Sequence, residues 1–250
     1  MINAVILEFF KLRRKKIFIM ITAFLSIELL WAFMATSKYM SSDPSINEWH
    51  GLFYMITSMN GFFLPIISAI VASRIWDMEY KGGTWKLLIC SNLHPRQIYL
   101  SKYICSCALM LYAIILQALA IGVFGSLKSF SDILSIPLFV SFIRGTMLTS
   151  MAILALQQWV SSSIKNQAFA LCLGMVGGFI GLVSDLLPLI IRPILIWSYY
   201  TYLSPVKYQF INSSIQYTIK NPGVEKLSIA VAMTLIFYII GNIHISKKEV

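Results

Sequence analysis

Charged residues are scarce in this chain. Only 12% of its 250 residues are charged, whereas 58% are hydrophobic and the mean hydropathy is +0.77. In water-soluble domains about a quarter of the residues are charged. The composition therefore excludes a soluble domain and predicts an integral membrane protein.

Common catalytic and nucleotide-binding motifs are also missing. The sequence contains no G-x-x-x-x-G-K-[ST] phosphate loop, no H-E-x-x-H and no G-x-S-x-G. The segment Gly82 to Lys86 lacks both the spacing and the Lys-Ser/Thr order of a phosphate loop. Because His50, His94 and His244 fall in separate segments, an intramembrane enzyme is disfavoured. We expect no enzyme activity, and any ATP would have to bind a partner.

Four cysteines are present, and none of them falls in a predicted outer loop. This placement disfavours an extracytoplasmic disulfide. Cys105 and Cys107 point in different directions on a helix, so they predict no metal site. We interpret Cys90, Cys105, Cys107 and Cys172 as reduced packing residues, and we expect no cofactor in this chain.

Long apolar runs fill most of the sequence. A helix that crosses a bilayer needs about 20 apolar residues, and six runs qualify: Ile17 to Ala35, Leu52 to Ser73, Tyr103 to Gly125, Ile136 to Val160, Gln167 to Ile191, and Leu227 to Ile245. The predicted fold is an all-α membrane protein with one six-helix transmembrane domain over residues 1–250. The remaining loops are too short for a soluble catalytic domain.

The basic residues predict the orientation, since Lys and Arg favour the cytosolic side. With the N-terminus inside, thirteen of them fall in inner segments. The outer segments hold six: Lys38, Lys128, Arg192, Lys207, Lys220 and Lys226. Both termini are therefore predicted to be cytosolic. Topology accounts for the net charge of +10, with anionic lipid rather than nucleic acid as the expected counter-charge.

Residues 1–16 predict an amphipathic helix on the inner leaflet. Its proposed apolar face consists of Ile2, Val5, Ile6, Phe9 and Phe10, and the residues mostly off that face are Glu8, Lys11, Arg13 and Arg14. The alternative is a basic tail with chance periodicity.

Two charged residues interrupt predicted spans. Glu28 and Arg144 fall at about the same depth, where each charge costs on the order of 2.5 to 3.5 kcal/mol. We predict that they pair, either as a structural ion pair or as a polar site on a substrate path. A protonated Glu28 with its own hydrogen bond is the alternative.

The fifth predicted span contains closely spaced glycines. Gly174 and Gly178, like Gly177 and Gly181, are four residues apart. Small residues at this spacing let helix backbones approach closely in lipid. Packing within the chain and association between subunits both fit this pattern.

The outer segment 192–226 is rich in aromatic residues and proline. Rings with polar tips favour the headgroup zone. We predict short helices dipping into the outer interface, where they contact an amphiphilic substrate or only anchor the last span. The candidate substrate residues are Trp197, Tyr199, Tyr200, Tyr202 and Tyr208.

The segment 74–102 predicts a short cytosolic helix between the second and third spans. Gly82 and Gly83 end the preceding helix, Thr84 caps the next, and Pro95 occupies the first turn of the helix that leads into the third span. Trp85 and Leu88 share a face that fits a socket on a partner protein. Lipid contact by Trp85 is the alternative.

This segment resembles the corresponding loop in permease subunits of the ABC-2 family. The resemblance lies in Glu79-x-x-x-Gly83-Thr84-x-x-Leu87-Leu88 and Arg96-x-Ile98-x-x-Ser101-Lys102, and the six spans extend it over nearly the whole chain. It implies a second permease or a second copy of this chain, and two copies of a cytosolic ATPase that binds ATP and Mg. The implied ATPase contact consists of Glu79, Gly83, Thr84, Trp85, Lys86 and Leu88.

Two stretches, Leu7 to Ile17 and Gly83 to Leu88, are most similar to lantibiotic self-protection permeases of the MutE and EpiE type. Asn92 and Pro95 depart from the usual loop pattern. This resemblance implies bacteriocin resistance, in which a plasma-membrane transporter of a bacterium expels an amphiphilic cationic peptide. A permease for another lipophilic substrate and a membrane sensor or scaffold without transport are the alternatives.

Overall fold

The computed structural model describes residues 2–13, 16–42, 48–83, 94–130, 134–188, 190–211 and 214–247. Within these ranges the helices are α1 (Ile2–Arg13), α2 (Ile17–Ser42), α3 (Glu48–Gly82), α4 (Pro95–Leu127), α5 (Ile136–Ser163), α6 (Ala168–Leu182), α7 (Tyr199–Tyr202) and α8 (Val224–Ser246). Two 3-10 turns, Ser184–Leu186 and Ile196–Ser198, and two strands, β1 (Val206–Ile211) and β2 (Ser214–Ile219), complete the described elements.

Five helices, α2, α3, α4, α5 and α8, are long and apolar enough to cross a membrane. They coincide with five of the six predicted spans and extend beyond them. At 1.5 Å per residue, the 35 residues of α3 reach about 50 Å, well beyond an apolar core of about 30 Å. The described part of segment 74–102 is therefore largely a helical extension of α3 and α4.

The fifth predicted span, 167–191, differs from this expectation. Its helix α6 has only 15 residues, or about 22 Å, and a 3-10 turn follows it. The Ser184 hydroxyl donates to the carbonyl of Gly181 at 2.6 Å and so satisfies one of the last carbonyls of α6. Six full-length spans are thus not present among the described residues.

Two helices, α3 and α5, occupy the centre of the bundle. Their buried faces include small polar residues, among them Ser68, Ser73, Thr149 and Ser150, which bury little volume and allow close packing. The outer helices expose large apolar side chains instead, such as Leu235 and Ile239 on α8. Those side chains suit contact with lipid.

The bundle has two distinct ends. At the α3–α4 end, where α3 finishes and α4 starts, Trp76, Tyr99 and Ile245 pack together. This contact brings the last turn of α8 to the end where α1 also docks, so both termini of the described chain lie on one side.

The opposite end, named here the hairpin end, carries α7 and the strands. The two strands pair antiparallel, from Val206 with Ile219 to Ile211 with Ser214. Short helical turns at 196–202 agree with the expectation for this segment. The hairpin itself is a correction, because helices alone were expected there.

Candidate functional site

Helix α1 docks on the bundle through a face that the periodicity did not identify. Ala4, Glu8 and Leu12 are buried at intervals of four residues, whereas Ile6 and Phe10 are exposed. The buried stripe is thus centred on a carboxylate that was expected to lie off the apolar face. The exposed apolar residues remain suited to a membrane surface.

Four charged side chains from three helices form an ionic cluster at the α3–α4 end. The ammonium of Lys102 on α4 lies 2.9 Å from Glu8 Oε2 on α1 and 2.8 Å from Glu79 Oε1 on α3. The ammonium of Lys11 on α1 lies 2.7 Å from Glu79 Oε1 and 3.3 Å from Glu8 Oε1. Each acid therefore contacts both bases.

The cluster is enclosed as well as paired. Lys102 is fully buried, and its ammonium lies 5.5 Å from the centre of the Trp76 ring. Burial alone would lower the pKa of Lys11, but Glu79 and Glu8 outweigh it and raise that pKa. Two acids and two bases balance, and removing one partner would leave a buried charge uncompensated.

This cluster flanks the loop between α3 and α4 on both sides. Gly83 has a φ of +58°, a left-handed conformation that glycine adopts readily as it ends α3. Pro95 occupies the first turn of α4. Glu79 and Lys102 therefore tie the helix before the loop and the helix after it to α1.

The loop residues expected at an ATPase contact divide into three groups. Thr84, Trp85, Lys86 and Leu88 lie outside the described residues. Gly83 is exposed at the end of α3. Glu79 is buried and bonded to Lys11 and Lys102, so the expectation that it faces a partner directly is corrected.

The predicted pair of Glu28 and Arg144 is wrong. Glu28 is fully buried, and its Oε1 accepts a hydrogen bond of 3.0 Å from Gln117 Nε2. The same nitrogen donates to Asn60 Oδ1 at 2.8 Å. Arg144 is exposed on α5 and forms no ion pair with another described residue. The similar depth predicted from the sequence therefore did not identify the partner of Glu28.

The glycines of α6 pack within the chain. A methyl group added to Gly181 would overlap the carbonyl of Gly61 on α3, and one added to Gly178 would lie 2.6 Å from the carbonyl oxygen of Phe62. Gly174 packs on Ala69 of α3 in the same way. Of the two possibilities left open by the spacing, the structure shows intramolecular packing.

The five aromatic candidates of the outer segment do not share one surface. Tyr199 and Tyr200 are buried, and the Trp197 indole packs against Gly177. Tyr202 lies beneath the ammonium of Lys226, which is 4.2 Å from its ring centre. Tyr208 lines a polar cavity at the hairpin end.

That cavity, the hairpin pocket, has a volume of about 220 Å³ and lies between α3, α7 and β1. Its lining is mostly polar and consists of Tyr54, Thr57, Ser58, Asp185, Arg192, Thr201, Ser204, Val206, Lys207, Tyr208 and Gln209. Asp185, Arg192 and Lys207 were not predicted as site residues. The available signal was a group of basic residues on the side where the charge rule expects few.

The sequence itself identifies the family. Residues 4–181 match the model of the ABC-2 family transporter protein. The chain belongs to this family. It is therefore a multi-pass membrane protein and the permease component of an ABC transporter, and membership implies partnership with an ABC ATPase subunit. No curated protein matches the chain.

The family match includes one of the two sites and stops before most of the other. Glu8, Lys11, Glu79 and Lys102 all fall inside residues 4–181. Asp185, Arg192 and Lys207 follow its end. The ionic cluster is thus built within the matched region, whereas the charged part of the hairpin pocket is not.

Proposed function

We propose that a separate ATPase binds this permease at the loop between α3 and α4, and that the ionic cluster transmits the movement of the ATPase from this loop to the helix bundle. The observation that carries the proposal is the position of that cluster. Glu79 precedes the loop, Lys102 follows it, and both contact α1. The chain itself has no phosphate loop, so ATP and Mg bind the partner.

Movement of the loop would act on three helices together. Glu79 and Lys102 are 2.8 Å apart at their charged atoms, so displacing one helix end separates buried charges unless the other follows. Rigid-body movement therefore costs less than local distortion. A nucleotide-dependent shift requires that the ATPase bind one of the two resulting states better than the other.

The same proposal assigns the sides of the membrane. The α3–α4 end faces the cytosol of a bacterium, so both termini are cytosolic and the hairpin end faces outward. Two ATPase copies serve two permeases, which are two copies of this chain or this chain and a related one. The excess of basic residues in the predicted inner segments supports this orientation.

For the substrate, we propose an amphiphilic peptide expelled from the outer leaflet in self-protection against a lantibiotic. Support comes from the resemblance of Leu7 to Ile17 and Gly83 to Leu88 to permeases of that group. Exposed Tyr208 at the hairpin end is the aromatic candidate best placed for contact.

A second candidate substrate is an anionic amphiphile. Arg192 and Lys207 line the hairpin pocket, and Lys220 and Lys226 lie near enough to act on the charge of Lys207. These cations would repel the basic part of a cationic peptide. The charge of this end therefore favours a substrate with a negative group.

Capture of the ATPase tests the first proposal. The chain is co-purified with candidate ATPases as wild type, as Trp85→Ala and as Glu79→Gln. We expect Trp85→Ala to lose capture, because it removes the proposed anchor of the loop. We expect Glu79→Gln to keep capture and to lose the stimulation of ATP hydrolysis, since the buried cluster transmits the movement without contacting the partner.

Membrane insertion of each variant is the control. Unchanged capture by Trp85→Ala in properly inserted protein would contradict the loop as the contact. Unchanged stimulation in Glu79→Gln would contradict transmission through the cluster.

Protection assays separate the two substrates. Cells that produce the permease with its ATPase are challenged with a cationic amphiphilic peptide and with an anionic amphiphile of similar apolar size. Protection against the peptide alone would support the lantibiotic proposal. Protection against the anionic compound alone would support the second candidate.

A further inference from the structure

The hairpin pocket contains a cation without a carboxylate partner. Lys207 is half-buried, and its ammonium donates to the carbonyl of Thr201. It forms no ion pair with any carboxylate of the described residues. A partly desolvated ammonium with a neutral partner is costly unless a negative group reaches it.

The nearest acid is already engaged. Asp185 Oδ1 lies 3.5 Å from Arg192 Nη1, and Asp185 Oδ2 accepts a hydrogen bond of 3.4 Å from the Tyr54 hydroxyl. Arg192 also donates from Nε to the Leu187 carbonyl at 2.9 Å and from Nη2 to the Asp185 carbonyl at 2.6 Å. These bonds fix the guanidinium at the wall of the pocket and leave Lys207 with its charge available.

Hydrogen-bond donors surround this charge. The Ser58 hydroxyl has no partner among the described residues, and the exposed residues Tyr208 and Gln209 also line the pocket. Lys220 and Lys226 add positive potential from neighbouring segments. The pocket thus carries two cations against one carboxylate, Asp185, and offers several N–H or O–H groups to a ligand that accepts hydrogen bonds.

The size of the cavity restricts the ligand. A volume of about 220 Å³ is below the range of roughly 300 to 1,000 Å³ that holds drug-sized molecules. A peptide segment would be too large to enter, whereas a compact anionic group would fit. A phosphate monoester carries up to about two negative charges and three strong acceptor oxygens, and the phosphodiester of a lipid headgroup carries a single negative charge, so both are compact anions that suit this combination of cations and donors.

We propose that the hairpin pocket binds a phosphate ester between Lys207 and Arg192, with the Ser58 hydroxyl as an additional donor. The shared chemistry fits two sources, a soluble phosphate ester and the headgroup of an anionic phospholipid. The pocket lies at the hairpin end, beside aromatic residues that favour the headgroup zone, so either source could reach it.

Binding is measured on the full chain purified in detergent, without an ATPase. The soluble probe is glycerol 1-phosphate, and the lipid probe is phosphatidylglycerol in mixed micelles, with phosphatidylcholine as its control. The variants are Lys207→Met, Lys207→Arg and Lys128→Met. Lys128 is an exposed cation at the same end of the bundle but outside the pocket, so its removal matches the loss of charge alone.

We expect Lys207→Met to raise the dissociation constant at least about tenfold, as expected for loss of a charge-assisted hydrogen bond. Lys207→Arg should retain most of the affinity, and Lys128→Met should bind like the wild type. Lys207-dependent binding of glycerol 1-phosphate would identify a soluble ester, and such binding of phosphatidylglycerol alone would identify a lipid headgroup.

Equal affinity of wild type and Lys207→Met for both probes would overturn the proposal. The proposal would also be overturned if Lys128→Met weakened binding of the probes as much as Lys207→Met, because that would indicate an unspecific effect of surface charge. Binding of acetate with the affinity of either probe would overturn it as well. Thermal unfolding of the unliganded variants shows that each is folded. Because no ATPase takes part, failure here would leave the coupling proposal untouched.

Discussion

The two ends of this permease handle buried charge in opposite ways. At the α3–α4 end, two acids and two bases contact one another, and Lys102 is fully enclosed. At the hairpin end, Arg192 and Asp185 pair while Lys207 has no carboxylate partner among the described residues. The charges of the ionic cluster are compensated within the described chain, whereas the charge of Lys207 is not paired with a described carboxylate.

This difference indicates different tasks. A balanced cluster holds three helices together and needs nothing from outside, so it suits the transmission of movement. A pocket with excess positive charge reaches its most favourable state only with an anion in place. Variants and titrations at both ends, and at the helix contacts between them, test this difference.

The largest effect is expected for Lys102→Met. Removing this ammonium leaves Glu8 and Glu79 with one remaining base, and breaking a buried ion pair costs about 3 to 5 kcal/mol of unfolding free energy. Chemical unfolding in detergent measures the change. Lys81→Met is the matched control, because the Lys81 side chain is 78% exposed in its pair with Asp77. Exposed pairs contribute about 0 to 1 kcal/mol, and equal losses in both variants would contradict a special role for the cluster.

The contact between α3 and α6, where Gly61 meets Gly181, should be the next most sensitive to substitution. In Gly181→Ala the new methyl group overlaps the Gly61 carbonyl, so α3 and α6 must separate at a cost of about 1 to 3 kcal/mol. Gly122→Ala on α4 meets no atom within 4 Å and should keep or slightly raise stability. Thermal unfolding of both variants distinguishes close packing of α3 on α6 from a general intolerance of alanine. Equal unfolding midpoints for Gly181→Ala and Gly122→Ala would contradict the close packing.

The intramembrane charges should behave independently. Glu28→Ala removes one of the two acceptors of the buried Gln117 amide, which keeps its bond to Asn60 Oδ1, so the loss should be that of one hydrogen bond, about 0.5 to 1.5 kcal/mol. Arg144→Ala removes an exposed side chain and should change stability by less than about 0.5 kcal/mol. A double-mutant cycle between the two should show no coupling. A coupling energy above about 1 kcal/mol would restore the ion pair that the structure excludes.

The smallest effect concerns pH at the hairpin pocket. Burial is the largest cause of a lowered Lys207 pKa, which is about 8 once the opposing effect of Asp185 and the lowering effects of Lys226, Arg192 and Lys220 are included. Lys207 is therefore charged below pH 8 and loses its charge above it, so affinity for glycerol 1-phosphate should fall about tenfold between pH 7.5 and 9.5. The ester itself stays doubly charged over this range, since its second pKa is about 6.

In the unliganded protein, the stability should change with pH in the direction opposite to the affinity. The folded state releases the Lys207 proton near pH 8 while the unfolded state retains it to about 10.4, so stability without ligand should rise between these values. An affinity for glycerol 1-phosphate that does not change between about pH 7.5 and 9.5 would contradict the role of Lys207.

Much of the fold followed from simple patterns. Runs of about 20 apolar residues located five helices that are long and apolar enough to cross a membrane, Pro95 marked the start of α4, and Gly83 marked the end of α3. The short helix α6 was harder to foresee, because the apolar run continued to Ile191 although the helix stops at Leu182. Hydropathy measures suitability for lipid, and it does not show where a helix ends.

The sequence contains a signal for the hairpin. Residues 206–211 and 214–219 are both rich in β-branched and aromatic residues, and Asn212-Ser213 separates them by two residues. Prolines and tyrosines nearby suggested interfacial helices instead. In the structure Tyr208 and Tyr217 pair across the strands and both contact the Tyr54 ring.

Residues far apart in the chain could not be paired by pattern alone. Glu8 is separated from Lys102 by 94 positions, and Glu28 from Gln117 by 89. Similar predicted depth in the membrane suggested Arg144 as the partner of Glu28, but depth gives only the position along the membrane normal and not the position within the membrane plane. The rotation of each helix about its axis, which selects the partner, depends on packing with all its neighbours.

Composition, hydropathy and loop motifs were sufficient for the membrane class, most of the helices and the ABC-2 family, because each reflects a local match between side chain and solvent. The balanced cluster and the unbalanced pocket emerged only when the helices were assembled. Charge compensation depends on distances of a few ångströms between separate segments, and the linear order of residues does not encode those distances directly.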